Sequence, residues 1–78
     1  MTNLEKYNEA FINSLGVEEQ QLQGLTYQSV DTWDSVGHMQ LIATLEDAFD
    51  IMFDTDDIID FSSYEKGKEY MAKYDVEL

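Results

Sequence analysis

Leu4, Tyr7, Phe11, Ile12 and Leu15 recur at spacings of three, four, one and three, which puts them on one stripe of a 3.6-residue helix. Thr2 or Asn3 can cap its start, and Gly16 stands where a glycine would end it. From Val17 to Asp34 the period is lost: glutamines, Gly24 and Ser29 are mixed with single apolar residues Leu22, Leu25, Tyr27, Val30 and Trp33. This stretch predicts a long ordered loop, of the kind that is commonly functional or packed by its own side chains. Helical spacing returns in Val36, Met39, Leu41, Ile42, Leu45, Ala48 and Phe49, with Asp34 or Ser35 available as the cap. The second helix is expected over Ser35–Asp50, roughly 24 Å long at 1.5 Å per residue. Asp56–Phe61 predicts a short third helix. Ser62 or Ser63 can cap a fourth, with Tyr64, Gly67, Tyr70, Met71 and Tyr74 on its apolar side. No two-residue alternation extends beyond Ile51–Phe53, and the chain has no proline. The expectation is an all-α fold, a small bundle of three longer helices and one short helix, forming one domain over residues 1–78.

Charge narrows the partners. The 78 residues include 17 Asp or Glu against 4 Lys or Arg, a formal charge of −13. Nucleic-acid affinity comes mainly from basic side chains on phosphates, and an anionic membrane surface repels such a chain. A partner with a basic surface fits. The 44% hydrophobic content is enough for a folded core, and with no Cys and one His the fold must rest on packing. The start of the chain lacks the basic residues and apolar run of a signal peptide, and no apolar stretch approaches the roughly 20 residues of a bilayer span. A soluble, cytoplasmic monomer without membrane insertion is expected.

Catalysis is poorly provided for: one imidazole, no thiol and no glycine-rich loop, so no enzymatic activity is expected. Asp54, Asp56, Asp57 and Asp60 are candidates for paired-carboxylate chemistry or calcium, but the segment lacks the glycine a calcium loop needs at its sixth position. An acidic helix-capping stretch is the preferred reading. His38 reads as a surface or partly buried side chain, alternatively as a contact to a group near Ser35. Trp33 and Tyr27 read as loop anchors on the helices. Ser35 taken alone reads as a helix cap.

Its surroundings change that reading. The segment Trp33-Asp34-Ser35-Val36-Gly37-His38-Met39-Gln40-Leu41-Ile42-Ala43-Thr44-Leu45-Glu46-Asp47-Ala48-Phe49 resembles the attachment-site helix of acyl carrier proteins. In that family an Asp-Ser pair opens the second helix, apolar residues follow one, four, six, seven and ten positions after the serine, and an acidic pair and a Phe come next. The order of the helices, the long loop, the length and the charge are similar too. The resemblance implies that Ser35, beside Asp34, carries 4′-phosphopantetheine transferred from coenzyme A by a phosphopantetheinyl transferase. The thiol of that arm then holds acyl groups as thioesters, for enzymes of fatty-acid, polyketide or specialised lipid and polysaccharide synthesis. It further implies that Val36, Met39, Glu46, Asp47, Asp50, Asp54, Asp56 and Asp57 meet basic docking patches on the transferase and on acyl-loading, acyl-processing and acyltransferase enzymes. Such rim charges mainly speed encounter and orient the partner.

Several positions depart from the fatty-acid carriers. Thr32-Trp33 and Val36-Gly37 flank the Asp-Ser pair where Gly-x and Leu-Asp are usual, Gln40 replaces a common Glu, and Lys68 replaces an aliphatic residue. These differences point to a dedicated carrier for a specialised pathway. An aminoacyl or peptidyl carrier is the alternative within the class, and an unmodified acidic binding module the alternative outside it. In carriers of this family the helices can enclose an acyl chain. Met39, Ile42, Leu45, Phe53, Ile58, Ile59, Phe61 and Met71 are the candidates for that lining, or for an ordinary filled core.

Overall fold

A computed structural model describes residues 2–78. Its helices are α1 (Asn3–Leu15), α2 (Ser35–Phe49), α3 (Thr55–Asp60) and α4 (Tyr64–Lys73), and a 3-10 turn over Glu19–Gln21 interrupts the loop after α1. The all-α bundle expected from periodicity is therefore what forms. Thr2, not Asn3, caps α1: its hydroxyl accepts from the Glu5 N–H at 3.1 Å, and the Glu5 carboxylate accepts from the Thr2 N–H at 2.9 Å. Gly16 ends the helix at φ 67°, a left-handed conformation that costs a residue without Cβ little.

The remaining boundaries shift slightly. Asp34 rather than Ser35 caps α2, accepting from the Gly37 N–H at 2.9 Å. The helix stops one residue before Asp50, because Asp50 turns left-handed at φ 53°. Helix α3 runs one residue earlier than the spacing predicts, and Phe61 leaves it to become buried. Ser63 caps α4 through the Lys66 N–H at 2.9 Å.

The buried residues form one cluster drawn from every element. Tyr7, Phe11 and Leu15 of α1 meet Leu41, Ile42 and Leu45 of α2, Tyr64 and Met71 of α4, and Phe53 and Phe61 of the connections. Phe11 takes three aromatic edges, from Tyr7, Tyr64 and Trp33, at centroid distances of 5.0, 5.3 and 5.6 Å. Each fully buried side chain of this size contributes about 1.5–3 kcal/mol. Gly67 lets α4 approach closely, since a Cβ there would lie 2.1 Å from the Tyr7 hydroxyl and 2.3 Å from the Phe61 ring.

The long loop belongs to the core. Leu22, Leu25 and Trp33 are buried, Trp33 completely. Backbone bonds tie it to the α3–α4 connection: the Tyr27 N–H donates to the Ser62 carbonyl at 2.8 Å, and the Tyr64 N–H to the Leu25 carbonyl at 2.9 Å. Its end is pinned to α1, where the Thr32 hydroxyl donates to the Leu15 carbonyl at 2.6 Å. Of the candidates for an interior lining, Ile42, Leu45, Phe61 and Met71 are buried, each less than 2% exposed. Met39 and Ile59, candidates for an interior lining, instead face outward at 54% and 71% exposure. Both line the open groove beside the start of α2 rather than the interior. Among the described residues no helix is long and apolar enough to cross a membrane.

Candidate functional site at the start of the second helix

Three anchors fix the beginning of α2. Asp34 caps it, Trp33 plugs the core just before it, and Gly37 presses against the preceding loop so closely that a Cβ would lie 2.0 Å from the Thr32 carbonyl oxygen. Ser35, between them, is exposed. Its Oγ lies 3.4 Å from the Tyr27 hydroxyl, at the edge of an open cavity of about 310 Å³. Tyr27, His38, Met39, Ile58, Ile59 and Phe61 supply the largely apolar walls.

The site unites residues from the loop, α2 and α3 that lie far apart in the chain. Sequence reasoning placed Ser35 and Asp34 here, and Val36 and Met39 stand exposed beside them at 67% and 54%. It grouped Met39, Ile58, Ile59 and Phe61 as candidates for one apolar lining, which here is the wall of the open groove, but it did not bring Tyr27 to the serine. The one available signal was the position of His38, which lies one helical turn after Ser35 and so shares its face.

His38 is half-buried and fully engaged. The Trp33 Nε1–H donates to its Nδ1 at 3.0 Å, and its Nε2 lies 2.7 Å from the Ile58 carbonyl oxygen. The ring lies nearly parallel to the Trp33 indole, with 6.2 Å between centroids and 20° between planes.

The acidic residues divide into two groups. Asp47, Asp50, Asp54 and Asp56 are exposed and free to face a partner. Glu46 and Asp57 have structural engagements. The half-buried Glu46 accepts from the Phe53 N–H at 2.9 Å, closing the turn after α2. Asp57 is buried, and this corrects its expected place on a docking surface. Its carboxylate receives the Lys73 ammonium at 2.8 and 3.0 Å and the Tyr74 hydroxyl at 2.6 Å. Those two donors hold its pKa below the usual carboxylate range, and the carboxylate in turn raises Lys73. Tyr74 also accepts from the Asp54 N–H at 2.8 Å, so α3 is clipped to the end of α4. A carboxylate spent this way holds α3 as one wall of the site.

The chemistry available is that of an acceptor. Ser35 has an accessible hydroxyl, and among the described residues the Tyr27 hydroxyl is the group within hydrogen-bond reach of it. At the first turn of α2 the backbone N–H groups of Ser35 and Val36 have no intrahelical acceptor, and the positive end of the helix dipole favours an anion there. Comparison of the chain with protein-family models, with curated proteins and with solved structures finds no match in any of the three.

Proposed function

We propose that this chain is a carrier protein that receives 4′-phosphopantetheine on Ser35 and presents the acyl groups bound to it to partner enzymes. The observation that carries the reading is the setting of Ser35: an exposed hydroxyl on the first turn of a capped helix, opening directly onto an apolar groove. In the attachment, Ser35 Oγ forms a bond to the phosphorus nearer the pantetheine of coenzyme A and loses its proton to the transferase. The pyrophosphate P–O bond breaks, and adenosine 3′,5′-bisphosphate leaves.

The residues present fit such a group. A phosphodiester on Ser35 would meet the free N–H groups of the first turn, while Tyr27, Met39 and Ile59 offer apolar surface to the pantetheine. When bound, the arm supplies the thiol that forms thioesters, which a chain without Cys cannot supply itself. The protein's own part is positional. Asp34 and Trp33 hold the serine at the helix start, Gly37 sets the helix against the loop, and Val36 and Met39 form an apolar rim beside the serine. Asp47, Asp50, Asp54 and Asp56 add negative charge suited to basic patches on a transferase and on acyl-handling enzymes. Such docking is weak and fast to reverse, as a shuttle requires.

The test is intact-protein mass spectrometry after incubation with coenzyme A and a broad-specificity phosphopantetheinyl transferase, with Ser35→Ala alongside. A gain of one phosphopantetheine by the wild type alone is the expected result. A folded, initially unmodified protein that gains nothing from several transferases would instead be an unmodified acidic binding module.

A further inference from the structure

The groove beside Ser35 is separated from the bundle interior by a hydrogen-bonded bolt. An indole nitrogen donates and never accepts, so the Trp33 Nε1–H at 3.0 Å requires a lone pair on His38 Nδ1. The proton of the neutral ring then sits on Nε2 and is donated to the Ile58 carbonyl at 2.7 Å. That carbonyl lies in the last turns of a six-residue helix, where acceptors lack intrahelical donors. One imidazole therefore ties together the buried end of the loop, α2 and α3. Its ring lies against those of Trp33 and Phe61, neither more than 1% exposed, at centroid distances of 6.2 and 6.1 Å. To open a path between α2 and α3, the bond from His38 to Ile58 must break, leaving the Ile58 carbonyl and the His38 Nε2–H in need of new partners.

What remains for cargo is the groove itself. Its 310 Å³ lies at the low end of the about 300–1,000 Å³ typical of ligand pockets, and any arm on Ser35 occupies part of it.

We propose that His38 is a specificity-determining positioning residue: by bolting α3 to α2 it keeps the acyl chain out of the interior and suits the carrier to short acyl groups held at the surface. This assignment rests on the carrier reading above.

The experiment loads the protein from acetyl-, butyryl-, octanoyl- and dodecanoyl-coenzyme A and measures thioester cleavage by hydroxylamine. In the wild type the four rates are expected to agree within about twofold, whereas each two methylenes drawn into a core would slow cleavage about fifteenfold. His38→Ala is expected to introduce that graded protection. His38→Gln, whose amide can still donate to the Ile58 carbonyl, is expected to keep rates close to the wild type. Graded protection in the wild type, or a flat series in folded His38→Ala, overturns the bolt. If His38→Ala does not fold, the wild-type series decides the matter. Nitrogen-15 NMR of the unmodified protein supplies a test independent of the carrier reading. The Nε2–H tautomer of His38 is expected, and the Nδ1–H tautomer overturns the bolt whatever Ser35 carries. Failure to load any acyl group on Ser35 overturns the carrier reading and the cargo assignment together.

Discussion

Replacing Gly37 by Ala tests how tightly the start of α2 is set. The new Cβ would lie 2.0 Å from the Thr32 carbonyl oxygen and 3.2 Å from Leu15 Cδ2. A carbon–oxygen contact needs about 3.3–3.6 Å, so one side must yield by more than 1 Å. Neither yields easily, because the Thr32 hydroxyl is bonded to the Leu15 carbonyl at 2.6 Å and Trp33, the next residue, is completely buried. Overpacking of this kind costs about 1–3 kcal/mol, and the better helix propensity of Ala returns at most about 1 kcal/mol. A contact of 2.0 Å against backbone belongs at the top of that range, so the net loss is about 2 kcal/mol, or roughly 8–16 °C in melting temperature for a domain of this size. Thermal unfolding followed by circular dichroism measures it, and the rate of phosphopantetheine transfer measured below the melt reports the displacement of Ser35. Both are expected to fall. A melting temperature equal to or above that of the wild type would show that the loop yields freely, and would refute the claim that Gly37 fixes the serine.

Two further outcomes follow from the charges. The donors on Asp57 lower its folded pKa, so its stabilisation is complete above the unfolded carboxylate value of about 3.9 and is lost as pH falls through the folded value. The stability difference between wild type and Asp57→Asn, measured by urea unfolding across acid pH, is therefore expected to shrink below about pH 4; a difference that stays constant would contradict the assigned role of the Lys73 and Tyr74 bonds. With a formal charge of −13, self-repulsion opposes the compact state, so moderate salt should raise the melting temperature. Scanning calorimetry in dilute and moderate ionic strength checks this, and an unchanged melt would mean that the carboxylates are too far apart or too well screened to matter.

Asp57 and Glu46 show where reading charge from a sequence stops. In the sequence both are members of an acidic run, indistinguishable from Asp47, Asp54 and Asp56. Periodicity says which face of a helix a residue occupies, but not whether a lysine from another element reaches it. Lys73 lies sixteen residues from Asp57, and only the packing of α4 beside α3 brings its ammonium to 2.8 Å. Met39 and Ile59 teach the same lesson for apolar residues. Their hydrophobicity suggests an interior, yet they stand 54% and 71% exposed and line the surface groove instead.

What the sequence determined by itself is local. Helix spacing, a cap at Thr2 or Asn3 and at Ser62 or Ser63, the glycine stop at Gly16 and the Asp34-Ser35 start of α2 all depend on residues within a few positions of one another, where propensity and hydrogen-bond geometry act directly. The candidate serine was legible for that reason. The tertiary structure alone decided which side chains surround it. Tyr27, His38 and Ile58 come to the groove from three segments, and the bonds from Trp33 to His38 and from His38 to Ile58 join positions five and twenty residues apart. Such long-range pairings are selected by competition for a limited core volume and by the need to satisfy buried donors and acceptors, and neither constraint exists until the whole chain has packed.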